Sequence, residues 1–229
     1  MRPTSKNRTN LNHESCRASR VLTPTGARPV FQADSMSERL QVENPFLAQL
    51  AALGWSVVDQ GEGLPADPAA SHRASFREVA LKNVFSNAVQ AINLDEAGKP
   101  WLTPTQLDYL FDFVNSRPGS LVEANRAVHG VLLDGVADMD HETASGVVKR
   151  TARLIDFDNP EDNHFVAINQ FRVDTPGQAK EHIRPDIVLF VNGVPLVVIE
   201  AKEANTFTSL PLEEAKRQLM RYAERRDDS

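Results

Sequence analysis

The segment Arg184–Lys202, RPDIVLFVNGVPLVVIEAK, limits what this chain can fold into more than any other stretch. Two runs that are apolar at nearly every position flank Asn192-Gly193, the dipeptide that most strongly signals a tight β-hairpin. Strands of that kind are expected in the middle of a sheet covered on both faces. Three ionisable residues, Asp186, Glu200 and Lys202, stand at the ends of the arms farthest from the turn. Charge at the rim of an apolar hairpin is costly to desolvate unless it pairs or binds a cation. Two carboxylates there imply a metal, an ammonium or both, and Lys202 supplies an ammonium.

Strand parity makes the geometry testable. With a strict two-residue turn and regular pairing, Asp186 would oppose Ile199 and Glu200 would point to the other face. One extra residue, in a longer turn or a bulge, shifts the register. Asp186, Glu200 and Lys202 then share a face, because side chains alternate with period two. A bulge or odd-length loop is therefore expected.

The strand texture begins after Gly146, with VVKRTARLIDF, a turn at Asp158–Asp162, HFVAINQFRV and then the two hairpin arms, read as four consecutive strands. Upstream, Phe46, Leu47, Leu50, Ala51 and Leu53 fall at helical spacing before Gly54, and Trp55, Val57 and Val58 alternate like a short strand. Gly61–Ser71 reads as a loop. Helices are expected over about 76–92, after Thr103-Pro104, and after the capping box Ser120-Leu-Val-Glu123. The middle, about 76–136, is thus helical. A last amphipathic helix, Pro211 to about Arg226, would help cover the hairpin. The fold expected is α/β, with a mixed, largely antiparallel central sheet flanked by helices.

Composition excludes several classes. At 41% hydrophobic and 24% charged residues the chain is an ordinary soluble one, with no apolar run of membrane-spanning length. A single cysteine, Cys16, excludes an internal disulfide and a Cys-rich zinc site, and a cytoplasmic setting is the default. No pair among the six histidines has metal-ligand spacing on a helix, so they read as surface or loop residues. Residues 1–35 carry six basic and two acidic side chains, about +4 against about −10 for the remainder. This tail, rich in Asn, Ser, Thr and Arg, reads as disordered. Met36 leaves open an upstream start, and the tail's charge leaves open contact with nucleic acid. The folded domain is placed at 36–229.

A Pro-Asp, then a hairpin, then Glu-x-Lys resembles the PD-(D/E)xK nuclease superfamily. The run from about Phe165 to Tyr222 resembles the N-terminal nuclease domain of type I restriction enzyme R subunits, whose pattern is close to RPDIVLFVNGLPLVVIELK. Val194 and Ala201 stand here where that pattern has Leu. Glu-x-Lys alone decorates many solvated strands; the Pro-Asp arm and the Asn-Gly turn make the match specific. Downstream, Gln218 and Tyr222 lie four apart on the last helix and match that branch's Q-x-x-x-Y element.

The resemblance implies a Mg²⁺-dependent endodeoxyribonuclease, with Mn²⁺ able to substitute. Asp186 and Glu200 would ligate the ion, the Ala201 backbone carbonyl would join them, and Lys202 would orient the attacking water. Glu43, with Glu38 second, is the candidate for the acidic residue that the superfamily often carries on an early helix. The helix dipole is the plainer account of such a residue. Gln218, Tyr222, Arg184 and Arg221 would position DNA. Lys180, Arg184, Lys202, Lys216, Arg217, Arg221, Arg225 and Arg226 would offset the acidic balance locally, although a solvated helix face explains those of the last helix as well.

The implied partners are DNA and the methyltransferase and specificity subunits of a restriction complex, with no membrane. No G-x-x-x-x-G-K-[ST] loop is present, so ATP would belong to motor domains absent from this chain, which reads as a fragment, a truncated product or an excised domain. Two alternatives stay open. One is a noncatalytic docking or DNA-holding module with an inherited nuclease fold; the other is a different PD-(D/E)xK enzyme, such as a repair nuclease.

Overall fold

The computed structural model describes residues 39–116, 119–177, 181–202 and 211–223, all within the unit Gln32–Ser229. The basic tail 1–35, Met36, Glu38, Lys180, Arg225 and Arg226 lie outside the described residues. A π-helical turn, Arg39–Glu43, runs into α1 (Asn44–Ala52), and β1 (Ser56–Val58) follows at once. Then come α2 (Lys82–Ile92), α3 (Pro104–Asn115), α4 (Leu121–Asp134), β2 (Val136–Thr143) and β3 (Gly146–Ala152). The remaining elements are β4 (Phe165–Asn169), β5 (Val173–Asp174), β6 (His182–Ile183), β7 (Ile187–Val191), β8 (Val194–Ile199) and α5 (Pro211–Ala223). Among the described residues no helix is long and apolar enough to cross a membrane.

The central sheet has the order β1-β4-β7-β8, with β1 parallel to β4 and the other pairs antiparallel. Its faces follow from strand alternation. Ala167 and Ile187, with Val57, Leu189 and Ile199, meet Leu47 and Leu50 of α1. Val166, Ile168, Val188 and Phe190 turn the other way, onto Leu81 and Phe171. A further core joins α2, α3 and the β2–β3 hairpin through Phe85, Val89, Leu110, Met139 and Ala152. The capping boxes at Thr103/Gln106 and Ser120/Glu123 start α3 and α4, satisfying N–H groups that a helix start leaves without partners.

Three expectations need correction. The first strand after Gly146 does not join the central sheet: β3 pairs with β2, which lies between the expected helical segment and the first strand expected. Met139 and His141 of β2 are buried and Val136 packs partly against the same core, enough to seat a hairpin against the helices but too little for a central strand. Secondly, α2 begins at Lys82 rather than near Phe76, because Leu81 N–H bonds to the Gly193 carbonyl at 2.8 Å instead of entering a helix. Thirdly, among the described residues β8 is an edge strand, with Leu196, Val197 and Val198 exposed, so of the two arms β7 is central as the apolar pattern implied.

The hairpin tip is anchored at depth. Asn192 and Gly193 have φ of 48° and 76°, as a turn with two left-handed residues requires. Asn192 is fully buried; its side-chain amide donates to Leu154 O and Asn163 Oδ1, both at 2.8 Å, and its Oδ1 accepts His164 N–H at 2.7 Å. Gly193 sits so close to α2 that a Cβ there would lie 2.6 Å from both Leu81 O and Phe85 N.

Candidate active site

The register of the hairpin changes along its length. Near the turn, Val191 pairs with Val194 and Phe190 with Pro195; beyond it, Leu189 pairs with Val197, Val188 with Val198 and Ile187 with Ile199. Leu196 is the extra residue, a bulge of the kind the sequence calls for. Carried one step further, the register sets Asp186 opposite Glu200, on the Val188 face of the sheet.

Local bonds and charges agree with that placement. Asp186 Oδ2 accepts the Ala201 N–H at 2.8 Å, fixing the carboxylate across the hairpin's open end. Glu200 is half-buried, yet both of its carboxylate oxygens are sealed from solvent, and among the described residues none completes a hydrogen bond of ordinary geometry to either, although the Tyr222 hydroxyl faces them. Burial, and then the facing Asp186 charge, push its carboxyl up to about 8. The Tyr222 hydroxyl and the Lys202 ammonium lie near enough to oppose that rise. Lys202 is half-buried beside them.

The last helix brings its two flagged residues to the same place. Gln218 Nε2 donates to the Tyr222 hydroxyl at 3.2 Å, and burial, followed by the neighbouring Glu200 charge, raises the Tyr222 phenol above its usual range. Ala215 is the buried residue of this face, while Leu212, Leu219 and Met220 point outward. Gln218, Tyr222 and Arg221 line a cavity of about 520 Å³ together with Glu181, His182, Ile183 and Arg184. Both flagged arginines thus share one concavity with the Gln-Tyr pair. Arg184 also donates to Gly63 O at 2.8 Å, tying the 61–65 loop to the cavity wall.

Glu43, the acidic residue ahead of α1, is 3% exposed and accepts two bonds from Gln170 Nε2, at 3.1 and 3.0 Å. Gln170 N–H in turn donates to the Asp186 carbonyl at 2.6 Å. Sequence reasoning passed over Gln170, because its only sign is its position in the register opposite Asp186. His182, also passed over, belongs to the cavity wall. His141, read as a surface residue, is 8% exposed and packs against Trp101, with Nδ1 unpartnered.

The carboxylates fit a hard divalent cation. Two carboxyl groups face each other, and among the described residues one has both oxygens buried without a hydrogen bond of ordinary geometry, a deficit that a cation relieves. Among the described residues no three His, Cys, Asp or Glu side chains converge as a ready ligand group, so the side-chain donors are two carboxylates.

Comparison with known proteins gives the same direction. Residues 35–229 match the family described as type I restriction enzyme R protein N terminus. The type I restriction enzyme HindI endonuclease subunit of Haemophilus influenzae is 32% identical over 163 residues, 70% of this chain and 14% of its own length. The candidate type I restriction enzyme MjaIXP endonuclease subunit of Methanocaldococcus jannaschii is 30% identical over 172 residues, 75% of this chain and 16% of its own length. The chain spans about one-sixth of the length of these curated relatives. With its matched region covering nearly all of the sequence after the basic tail, the chain belongs to the type I restriction enzyme R protein N-terminus family.

Proposed function

We propose that this chain is a Mg²⁺-dependent endodeoxyribonuclease domain of a type I restriction R subunit, hydrolysing DNA phosphodiesters with water. The observation that carries the reading is the opposition of Asp186 and Glu200, with both Glu200 oxygens buried and, among the described residues, without a hydrogen bond of ordinary geometry. The endonuclease subunits among its relatives supply the reaction class.

Asp186, Glu200 and the Ala201 carbonyl would hold Mg²⁺, or Mn²⁺ in its place. When bound, the ion supplies Lewis acidity, lowering the pKa of water and taking up phosphate charge. The chain's own residues do the rest. Lys202 orients the attacking water and offsets the charge that grows on the phosphoryl oxygens. The Ala201 N–H holds Asp186 in place. Tyr222, braced by Gln218, closes one side of the carboxylate pair and keeps solvent from it. Arg184 and Arg221 hold backbone phosphate in the cavity beside the pair, a contact that positions the strand without reading its sequence. DNA, with the methyltransferase and specificity subunits, makes up the set of partners, in the cytoplasm.

The test is nicking of supercoiled plasmid with and without Mg²⁺, by the wild-type chain and by Asp186→Asn and Lys202→Met. Metal-dependent nicking that falls at least about a thousandfold in both variants supports the reading. Undiminished cleavage by the variants defeats it. DNA binding indifferent to metal, with no cleavage, assigns the chain to a noncatalytic module instead.

A further inference from the structure

Gln170, the residue directly after β4, combines three features. It is 9% exposed, its φ is +49°, and it bonds in two directions at once. A left-handed conformation costs a residue other than glycine roughly 1 kcal/mol and persists only where the surroundings enforce it. Here the enforcement is visible. The backbone N–H donates to the Asp186 carbonyl at 2.6 Å, extending the β4–β7 pairing by one step, while the side-chain Nε2 bridges both carboxylate oxygens of Glu43. Phe171 N–H then bonds to Pro185 O at 2.9 Å, so the residues on both sides of the bend hold the Asp186 arm.

Glu43 belongs to the π-helical turn ahead of α1, and Asp186 to the hairpin. One residue therefore links a buried carboxylate of the N-terminal helical layer to the strand that carries the first nuclease carboxylate.

We propose that Gln170 is a positioning residue of the Asp186–Glu200 site, fixing the Asp186 arm against the α1 layer through Glu43, with Glu43 acting through Gln170 rather than as a third ligand. The inference rests on the nuclease reading above and adds to it. It accounts for a buried glutamate on the early helix in a protein where, among the described residues, no three ligating side chains converge. Partners that orient the residues holding a metal are commonly worth about 10- to 100-fold in affinity or rate.

The experiment uses the full 229-residue chain and two readouts: Mn²⁺ affinity by titration calorimetry, and plasmid nicking resolved into kcat and KM. Gln170→Met keeps the length of the side chain and removes the donor. Mn²⁺ affinity should fall about tenfold and kcat by a similar factor, with KM for plasmid held within roughly twofold. Gln170→Gly suits a φ of +49° and serves as the second variant; its melting temperature should stay near wild type while Mn²⁺ affinity falls as in Gln170→Met. Glu43→Gln retains an oxygen to accept the Gln170 bond and should behave almost as wild type, whereas Glu43→Leu should match Gln170→Met.

Wild-type affinity and kcat in both Gln170 variants would overturn the proposal. So would Glu43→Gln losing as much as Glu43→Leu, since the carboxylate itself would then be required at the ion. A wild-type chain that neither binds Mn²⁺ nor nicks DNA removes the nuclease reading and this inference together, and that outcome is seen before any variant is made.

Discussion

Asp186 lies one step beyond the Ile187–Ile199 pair and therefore across from Glu200, a pairing that depends on Leu196 being an extra residue in β8. Deleting Leu196 removes the extra residue with little loss of core, since its side chain is 43% exposed. Val197 then follows Pro195 directly, so regular pairing runs on through Leu189–Val197 and Ile187–Ile199 to Asp186–Glu200, and the carboxylates keep their shared face. Inserting one alanine after Leu196, with a single residue still bulged, instead brings Ile199 against Asp186 and turns Glu200 to the α1 face. We expect circular dichroism like that of wild type in both variants, nicking near wild type in the deletion and nicking reduced by at least about a hundredfold in the insertion. Wild-type cleavage by the insertion variant would mean that the two carboxylates need not share a face.

Glu200 gives stability a pH dependence of opposite sign to that of most carboxylates. Its carboxyl is raised from 4.5 to about 8 by burial and by Asp186. Between those values the folded protein binds more protons at this site than the unfolded chain does, so stability falls as pH rises through that window. Glu200→Gln removes the titration and keeps the shape. Its melting temperature should exceed that of wild type by a margin that is absent near pH 4, grows with pH, and levels off above about pH 8. Saturating Mg²⁺ should narrow the margin by favouring wild type. Calorimetric scans from pH 4 to 9 measure it, and a margin independent of pH would refute the cause assigned.

Gly193 is the position least tolerant of a side chain in the hairpin. A Cβ would meet Leu81 O and Phe85 N at 2.6 Å, both backbone atoms of the α2 start, and φ is +76°. Gly193→Ala should therefore cost about 3 kcal/mol or more, visible as a fall of roughly 8 °C in Tm for a chain of this size. A Tm within about 2 °C of wild type would show that α2 can shift away from the turn at small cost.

Arg221 should act on DNA through charge. It is exposed at the rim of the cavity that Arg184 also lines. Arg221→Ala should weaken binding about equally for unrelated duplexes and reduce the slope of log affinity against log salt by about one phosphate contact. Fluorescence anisotropy over a salt series reads this directly. An unchanged slope removes Arg221 from the DNA path.

Much of the site was legible because its information is local. Asn192-Gly193 dictates the turn, parity demands one extra residue, and the spacing of Gln218 and Tyr222 puts both on one side of a helix. What the sequence hid depends on distant partners. VADMDHET buries Met139 and His141 and is broken by Asp138 at φ 59°, so β2 leaves little alternation to read. VPLVVI looks like a central strand, and only the identity of its neighbours makes it an edge. The role of Gln170 resides in a backbone angle and in two bonds to residues far off in sequence, none of which its residue type announces.

The parallel pairing of β1 with β4 has a consequence for how the molecule is made. Ser56–Val58 finds its place only beside Val166–Ile168, roughly a hundred residues later. During synthesis the first strand must wait, unmatched, until β4 has left the ribosome, and closing so long a loop is slow. Assembly is then expected to start from the late meander of β4, β7 and β8, so the half of the protein that carries the acidic pair becomes the template on which the earlier half is ordered.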